Sequence, residues 1–240
     1  MQVPDFERPL TTVDVVIFSV RDEALQVLLV RRPNGKSEPF PGTWALPGGF
    51  IDTKLDQDLT SCAMRKLREK TGIDAPYLEQ LGSFGNATRD PRGWSATHVY
   101  FALMASDGIE IQAGGNSQQS QWLEVSGERV SESLAFDHAE LLRAAVQRLR
   151  AKVEYTALPV YLLPSEFTLT ELQRIYEIVL GRELEKKAFR TRLLAAELLE
   201  SLPRTKGGAN RPAQLYRVKR RRGVHIFARP FGSADSGGSK

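Results

Sequence analysis

Positions 66, 69 and 70 fall at i, i+3 and i+4 of a predicted helix, Asp58–Thr71, and so share one face. Carboxylates at that spacing hold hard divalent ions such as Mg²⁺, which take oxygen ligands. Such ions clamp a pyrophosphate and activate the water that cleaves it. Here the three residues are Lys66, Glu69 and Lys70. Three glutamates would carry −3 where Lys-Glu-Lys carries +1. A lysine, with a pKa of about 10.4, stays protonated unless deeply buried and then offers no lone pair to a metal. At this spacing the chain places two cations and one acid on a single helix face. Asp52 and Asp56 are nearby acids, but both lie outside that spacing.

A second set of chemistry-bearing residues, Arg89, Asp90, Arg92 and Trp94, shares one predicted loop, Asn86–Trp94. Arginine forks bind a diphosphate bidentately, and an indole stacks on a base. Arg32 at a strand end and Phe50 are further candidates for the same pocket. A third set is basic. Lys187, Arg190 and Arg192 project beside the apolar stripe Phe189, Leu193 and Ala196 of a late helix, and Lys219, Arg220 and Arg221 open a run of four cations. A helix of this kind can enter a DNA major groove, with basic side chains on the phosphates. The single cysteine, Cys62, lies in the first helix and reads as a small core residue; one cysteine excludes an internal disulfide.

The elements that must position these groups follow from the apolar periodicity. Val13–Val20 and Leu25–Arg31 read as strands around Arg21-Asp22-Glu23, and Arg32–Thr43, with its prolines and glycines, as a loop. Tyr77–Gly85, Ser95–Ala105 and Gln121–Val125 add strands. Asp137 to about Val153 has Leu141, Ala145 and Leu149 at helical spacing, with Asp137 as the expected N-cap. Phe136 and His138 are expected to cap and staple that helix. A boundary is expected near Tyr155. Thr168-Leu169-Thr170-Glu171 then fits a capping box that opens a helix to Leu180, with Gly181 stopping it. A second helix is predicted from about Leu184 to Ser201. Strands Leu215–Val218 and Val224–Ala228 are predicted around the basic turn Lys219–Gly223. Helix, turn, helix and hairpin is the order of a winged helix-turn-helix. The Gly/Ser-rich tail 232–240 is predicted to be disordered.

At 240 residues the chain holds one large domain or two ordinary ones, and charge favours two. Residues 1–150 carry net −4 and residues 151–230 net +8, within a total of +4. A basic C-terminal module suits a polyanion. Residues Met1–Glu7 lack a basic-then-apolar leader and no apolar run approaches a membrane span, so a cytoplasmic protein is expected.

The stretch Leu46-Pro47-Gly48-Gly49-Phe50 through Arg65–Gly72 resembles the Nudix box. Counting back from Gly72, Arg65 takes the motif arginine's place and Leu67 the aliphatic's, so Lys66 and Lys70 stand at metal-binding glutamate positions. Gly49 to Gly72 spans 23 residues against 21 in the pattern, which sets the motif's first glutamate on Leu55. Together with Arg89–Trp94, Ala135-Phe136-Asp137-His138, Phe167-Thr168-Leu169, Phe189-Arg190 and Arg211–Tyr216, the chain resembles the Nudix-related transcriptional repressors of NAD metabolism, the NrtR type. That resemblance implies an α/β fold: a Nudix α/β/α sandwich with a mixed sheet over residues 1–154, then a winged helix-turn-helix domain over 155–231. It implies a cytoplasmic homodimer with no cofactor, no metal and no enzymatic activity. The Nudix part would bind ADP-ribose intact, and the winged part, with Arg211 among its contacts, a palindromic double-stranded operator that ligand would release. Two alternatives stand beside it. One is an active Nudix pyrophosphohydrolase with a nucleic-acid-binding tail; the other is a repressor of the same architecture answering to a sugar.

Overall fold

The computed structural model describes residues 7–72, 74–107, 119–207, 212–219 and 223–231. The chain divides into two compact units. The first takes in Met1–Ser19, Gln26–Met104 and Gly108–Val146; the second takes in Val20–Leu25, Ala105–Asp107 and Gln147–Lys240.

The first unit is built on a mixed sheet. Strands β1 (Leu10–Arg21) and β2 (Ala24–Arg31) are neighbours, joined at Asp22 and Glu23, both left-handed at φ 50° and 59°. Two left-handed residues match the right-handed twist of a hairpin. Short strands β3 (Trp44–Ala45) and β4 (Gly48–Phe50) pair antiparallel with β2 and β1. Helix α1 (Leu59–Thr71) follows, then β5 (Tyr77–Asn86) and β6 (Ser95–Leu103), which pair with each other antiparallel. β6 lies parallel to β1 and β7 (Gln119–Glu124) antiparallel to β2, so the sheet is mixed as expected.

Every residue of β1 from Val13 to Val20 is buried, which requires cover on both faces. On one face Val13, Val15 and Ile17 pack with Cys62, Ala63 and Leu67 of α1. Val16 and Phe18 alternate to the other face, and α2 (His138–Val153) brings buried Leu141, Leu142, Ala145 and Val146. Helix α1 is closed at both ends: Asp58 and Ser61 form a capping box, and Gly72 leaves in the left-handed region at φ 71°. Asp137 stands at the expected cap position of α2, its carbonyl accepting the Leu141 N–H at 3.2 Å, but its carboxylate is engaged by an arginine. Both of its carboxylate oxygens accept hydrogen bonds from Arg89, at 2.8 Å each.

In the second unit a 3-10 turn, Leu158–Leu162, follows the end of α2. Strand β8 (Phe167–Thr168) leads into α3 (Leu169–Leu180), where Thr168 and Glu171 form the expected capping box and Gly181 the expected stop. Helix α4 (Lys186–Ala195) follows, then strands β9 (Leu199–Lys206) and β10 (Ala213–Val218), in the sheet order β8-β10-β9.

Two expectations are corrected here. The second helix ends at Ala195, not Ser201: Glu197 turns left-handed at φ 51°, and the chain re-enters as β9. Leu198 and Leu199 therefore lie beyond the helix, Leu199 opening β9. Pro203 sits inside β9, an edge strand with a register shift opposite; edges and bulges are where a strand tolerates a residue without an N–H. The wing is the β9–β10 hairpin. Val224–Ala228 forms no strand but a single bridge, Thr156 to Ile226. The two segments flanking Lys219–Gly223 therefore do not pair as the predicted hairpin. Arg211, Arg220, Arg221 and the tail 232–240 lie outside the described residues.

Residues 223–231 run back to the start of this unit. Phe227 N–H donates to Tyr155 O and Phe231 N–H to Glu154 O, at 2.7 Å each, and Ala157 N–H to His225 O at 3.0 Å. The Phe231 ring meets Tyr176 of α3 and Phe189 of α4, with centroids 4.9 and 5.7 Å away. This aromatic cluster holds the two helices together.

Candidate functional site

The first unit contains a cleft of about 830 Å³, within the range of small-molecule sites. One wall is α1, which presents Arg65, Lys66, Glu69 and Lys70. Strand β4 supplies Gly48, Gly49 and Phe50; the end of β2 supplies Arg32; the β5–β6 loop supplies Arg89, Asp90 and Arg92. Five of the six residues predicted for the pocket therefore converge. Trp94 does not: it is half exposed and absent from the lining, its ring lying instead against Gly85.

The predicted roles need revision in detail. Arg89 is buried, and its guanidinium is a structural clamp, forked onto Asp137 and reaching Ser95 Oγ at 3.3 Å. Arg92 is the exposed arginine. It forks onto buried Asp90, whose carboxyl its hydrogen bonds hold below the usual range against the opposing effect of burial, and it stacks over Phe50 at 5.2 Å. Arg32 bonds Glu38 and the Pro39 carbonyl and stacks over Phe136 at 4.7 Å. The long loop at 33–43 thus forms a rim, with Phe40 edge-on to Phe136.

On α1, Arg65 makes two hydrogen bonds to Asp56, 2.7 and 2.6 Å, and one to Glu69, 2.8 Å. The acid outside the metal spacing, Asp56, thus serves the arginine. Lys66 Nζ lies 4.0 Å from Glu69. Lys70 is buried, and burial pulls its pKa below 10.5 although Glu69 opposes this. Burial also pushes the Cys62 thiol up to about 11, so it stays an unreactive thiol. Among the described residues no cluster of three or more His, Cys, Asp or Glu could hold a metal ion. The α1 wall instead offers cations to an anion.

Two further residues line the floor, Asp14 and His138, of which the sequence singled out only His138, and that as a helix cap and staple. Asp14 is buried in β1, where its Oδ2 accepts from Thr97 Oγ1 at 2.7 Å. Its Oδ1 fills the space a side chain at position 48 would take: a β-carbon on Gly48 would stand 1.9 Å away. His138 does not cap α2 with its ring. Its Nδ1 accepts the Leu46 N–H at 2.9 Å, tying the helix start to the β3–β4 turn. An acid inside a run of β-branched residues was the available clue to Asp14.

In the second unit Lys187 is exposed on α4 and Lys219 is exposed just after β10. Arg190 donates to Thr170 Oγ1 at 3.1 Å. Arg192, predicted to meet DNA, turns inward and stacks over Phe231 at 4.4 Å. Its neighbours are aromatic because α4 must anchor on α3 through Phe189 and Tyr176.

Comparison with known proteins agrees with both units. Residues 159–218 match the NrtR DNA-binding winged helix domain and residues 10–145 the NUDIX domain. The chain is 52% identical to the ADPR responsive transcriptional repressor NtrR of Acinetobacter baylyi, across 90% of this chain and 84% of that one. It belongs to the NrtR family. Shewanella oneidensis NrtR complexed with a 27mer DNA aligns with a TM-score of 0.82 at 39% identity, covering 92% of this chain and 98% of that one. The NUDIX domain of the same NrtR, crystallised with ADP ribose, aligns at 44% identity and a TM-score of 0.54, covering 60% of this chain and 90% of that one. An NrtR-family fold, a Nudix domain followed by a winged helix domain, is therefore the architecture of this chain.

Proposed function

We propose that this chain is a homodimeric repressor of NAD biosynthesis or salvage genes that leaves its palindromic operator when ADP-ribose enters the Nudix cleft. The observation that carries this reading is the 52% identity to an ADPR responsive repressor, extending through both domains. The cleft supports it. Its α1 wall carries Lys66 and Lys70 where metal-binding glutamates would stand, so a diphosphate meets ammonium groups. It is bound without a divalent ion and is not cleaved, because no activated water is generated. Arg32, Phe50, Arg92 and the Arg89–Asp90 turn form the rest of the effector site; Lys187, Arg190 and Lys219, with Arg211, Arg220 and Arg221, form the DNA contacts. We place the domain division at 154/155, with the sensing domain at 1–154 and the DNA-binding domain at 155–231, and the protein in the cytoplasm.

A gel shift against the gene's own upstream region tests this. Free protein should retard the fragment, ADP-ribose should abolish the band with EDTA present, and no AMP should form when Mg²⁺ or Mn²⁺ is added. A band indifferent to ADP-ribose removes the sensor, and steady AMP production makes the chain a hydrolase. Release by a pentose alone makes it a sugar-responsive repressor.

A further inference from the structure

The floor of the cleft holds a donor and an acceptor that face each other but do not meet. His138 Nε2 and Asp14 Oδ1 are 3.8 Å apart, beyond hydrogen-bond length. Both side chains are more than nine-tenths buried, and both line the cleft. The histidine's tautomer is set by its other contact. Leu46 N–H occupies His138 Nδ1, so the ring proton of the neutral imidazole sits on Nε2. Burial lowers the His138 pKa and favours that neutral ring. Asp14 Oδ2 is engaged by Thr97 and lies 4.0 Å from Arg89 Nη2, which leaves Oδ1 as the face toward the histidine.

An atom seated across this gap must accept from Nε2–H and donate to a carboxylate. A phosphate oxygen accepts but has no proton to give, and Asp14 repels it. An ammonium group donates but cannot accept. A hydroxyl does both from one oxygen, and a triangle of about 2.8 Å sides spans 3.8 Å readily. Gly48 fixes the arrangement, since a β-carbon there would displace Oδ1.

We infer that Asp14 and His138 form a hydroxyl clamp that reads a sugar ring hydroxyl of the effector and so sets the cleft's preference for a glycosylated diphosphate. This rests on the proposed binding of ADP-ribose and names the residues that distinguish it. A site built to bond a hydroxyl rejects the analogue lacking it, because its own polar groups are left unpaired.

The test is calorimetric titration of full-length wild type and His138→Asn with ADP-ribose, ADP and 2′,3′-dideoxy-ADP. Asparagine offers an oxygen near the Nδ1 position for Leu46 N–H while removing the Nε2 donor and the ring contact with Phe136. Asp14→Asn is the second variant. In the wild type, ADP-ribose should bind about tenfold to a hundredfold tighter than a ligand without the hydroxyl. His138→Asn and Asp14→Asn should erase that margin and leave dideoxy-ADP unchanged. A loss confined to ADP-ribose assigns the clamp to the terminal sugar; a loss shared by ADP but not dideoxy-ADP assigns it to the nucleoside sugar. Variants that keep the wild-type margin, or that weaken all three ligands alike, overturn the clamp while the effector reading stands. Wild type that binds none of the three overturns both.

Discussion

Lys66 Nζ lies 3.2 Å from the point where a β-carbon on Gly49 would stand. The ammonium group therefore rests against bare backbone, and Gly49 holds φ +141°, a conformation side chains rarely adopt. Gly49→Ala should cost about 1–3 kcal/mol through that strained backbone, read as a lowered thermal midpoint. Lys66→Ala should leave the midpoint nearly unchanged and weaken ADP-ribose about tenfold or more, the loss of one charge-assisted hydrogen bond. Equal ADP-ribose affinity in Lys66→Ala would remove this lysine from the site.

Lys70 supplies a pH signature. Its folded pKa is depressed by burial, so its charge is lost as pH rises through that lowered value, before an ordinary lysine would titrate. An anionic effector favours the charged form. Binding should then take up protons on the alkaline side and weaken as pH rises there. Lys70→Met should flatten the alkaline limb; calorimetry in buffers of different ionisation enthalpy counts the protons.

Asp56 bears on acid stability. The Arg65 hydrogen bonds hold its folded pKa well below the ordinary 3.8, outweighing the opposing effect of burial. A depressed carboxyl stabilises the fold fully above its unfolded pKa, and that contribution fades as pH falls toward the folded value. Asp56→Asn should therefore be less stable than wild type at neutral pH, with the gap closing only below about pH 4. Denaturant unfolding across that range reads it; a gap independent of pH would assign the effect to packing.

Lys187 and Arg192 should separate cleanly. Lys187→Ala should weaken operator binding across sequences and reduce the slope of affinity against salt by about one. Arg192→Ala should instead lower thermal stability, because its guanidinium packs on Phe231. An unchanged melting point with a reduced salt slope in Arg192→Ala would return that residue to the DNA surface.

Much of this was legible before the structure, and the reasons are local. The capping box at Thr168 and Glu171 and the stop at Gly181 are short-range chemistry, as is the box helix with its lysines. The end of α4 was not legible. Leu193, Leu194, Leu198 and Leu199 continue a helical pattern, while the turn at Glu197 depends on β9 finding β10 across the chain. The stacking of Arg192 was not legible for the same reason: its partner Phe231 is 39 positions away. Asp14 and His138 are 124 positions apart and meet only through the sheet and the start of α2. Trp94 had the right chemistry for a stacking platform, but its ring lies along β5 at Gly85.

The return of residues 223–231 to Glu154, Tyr155 and Ala157 sets a practical limit on handling the molecule. An affinity handle or fusion partner should begin after Phe231. Trimming to Arg229 would take away the ring on which Arg192, Tyr176 and Phe189 converge, and shortened versions should yield insoluble material for want of that one aromatic plug.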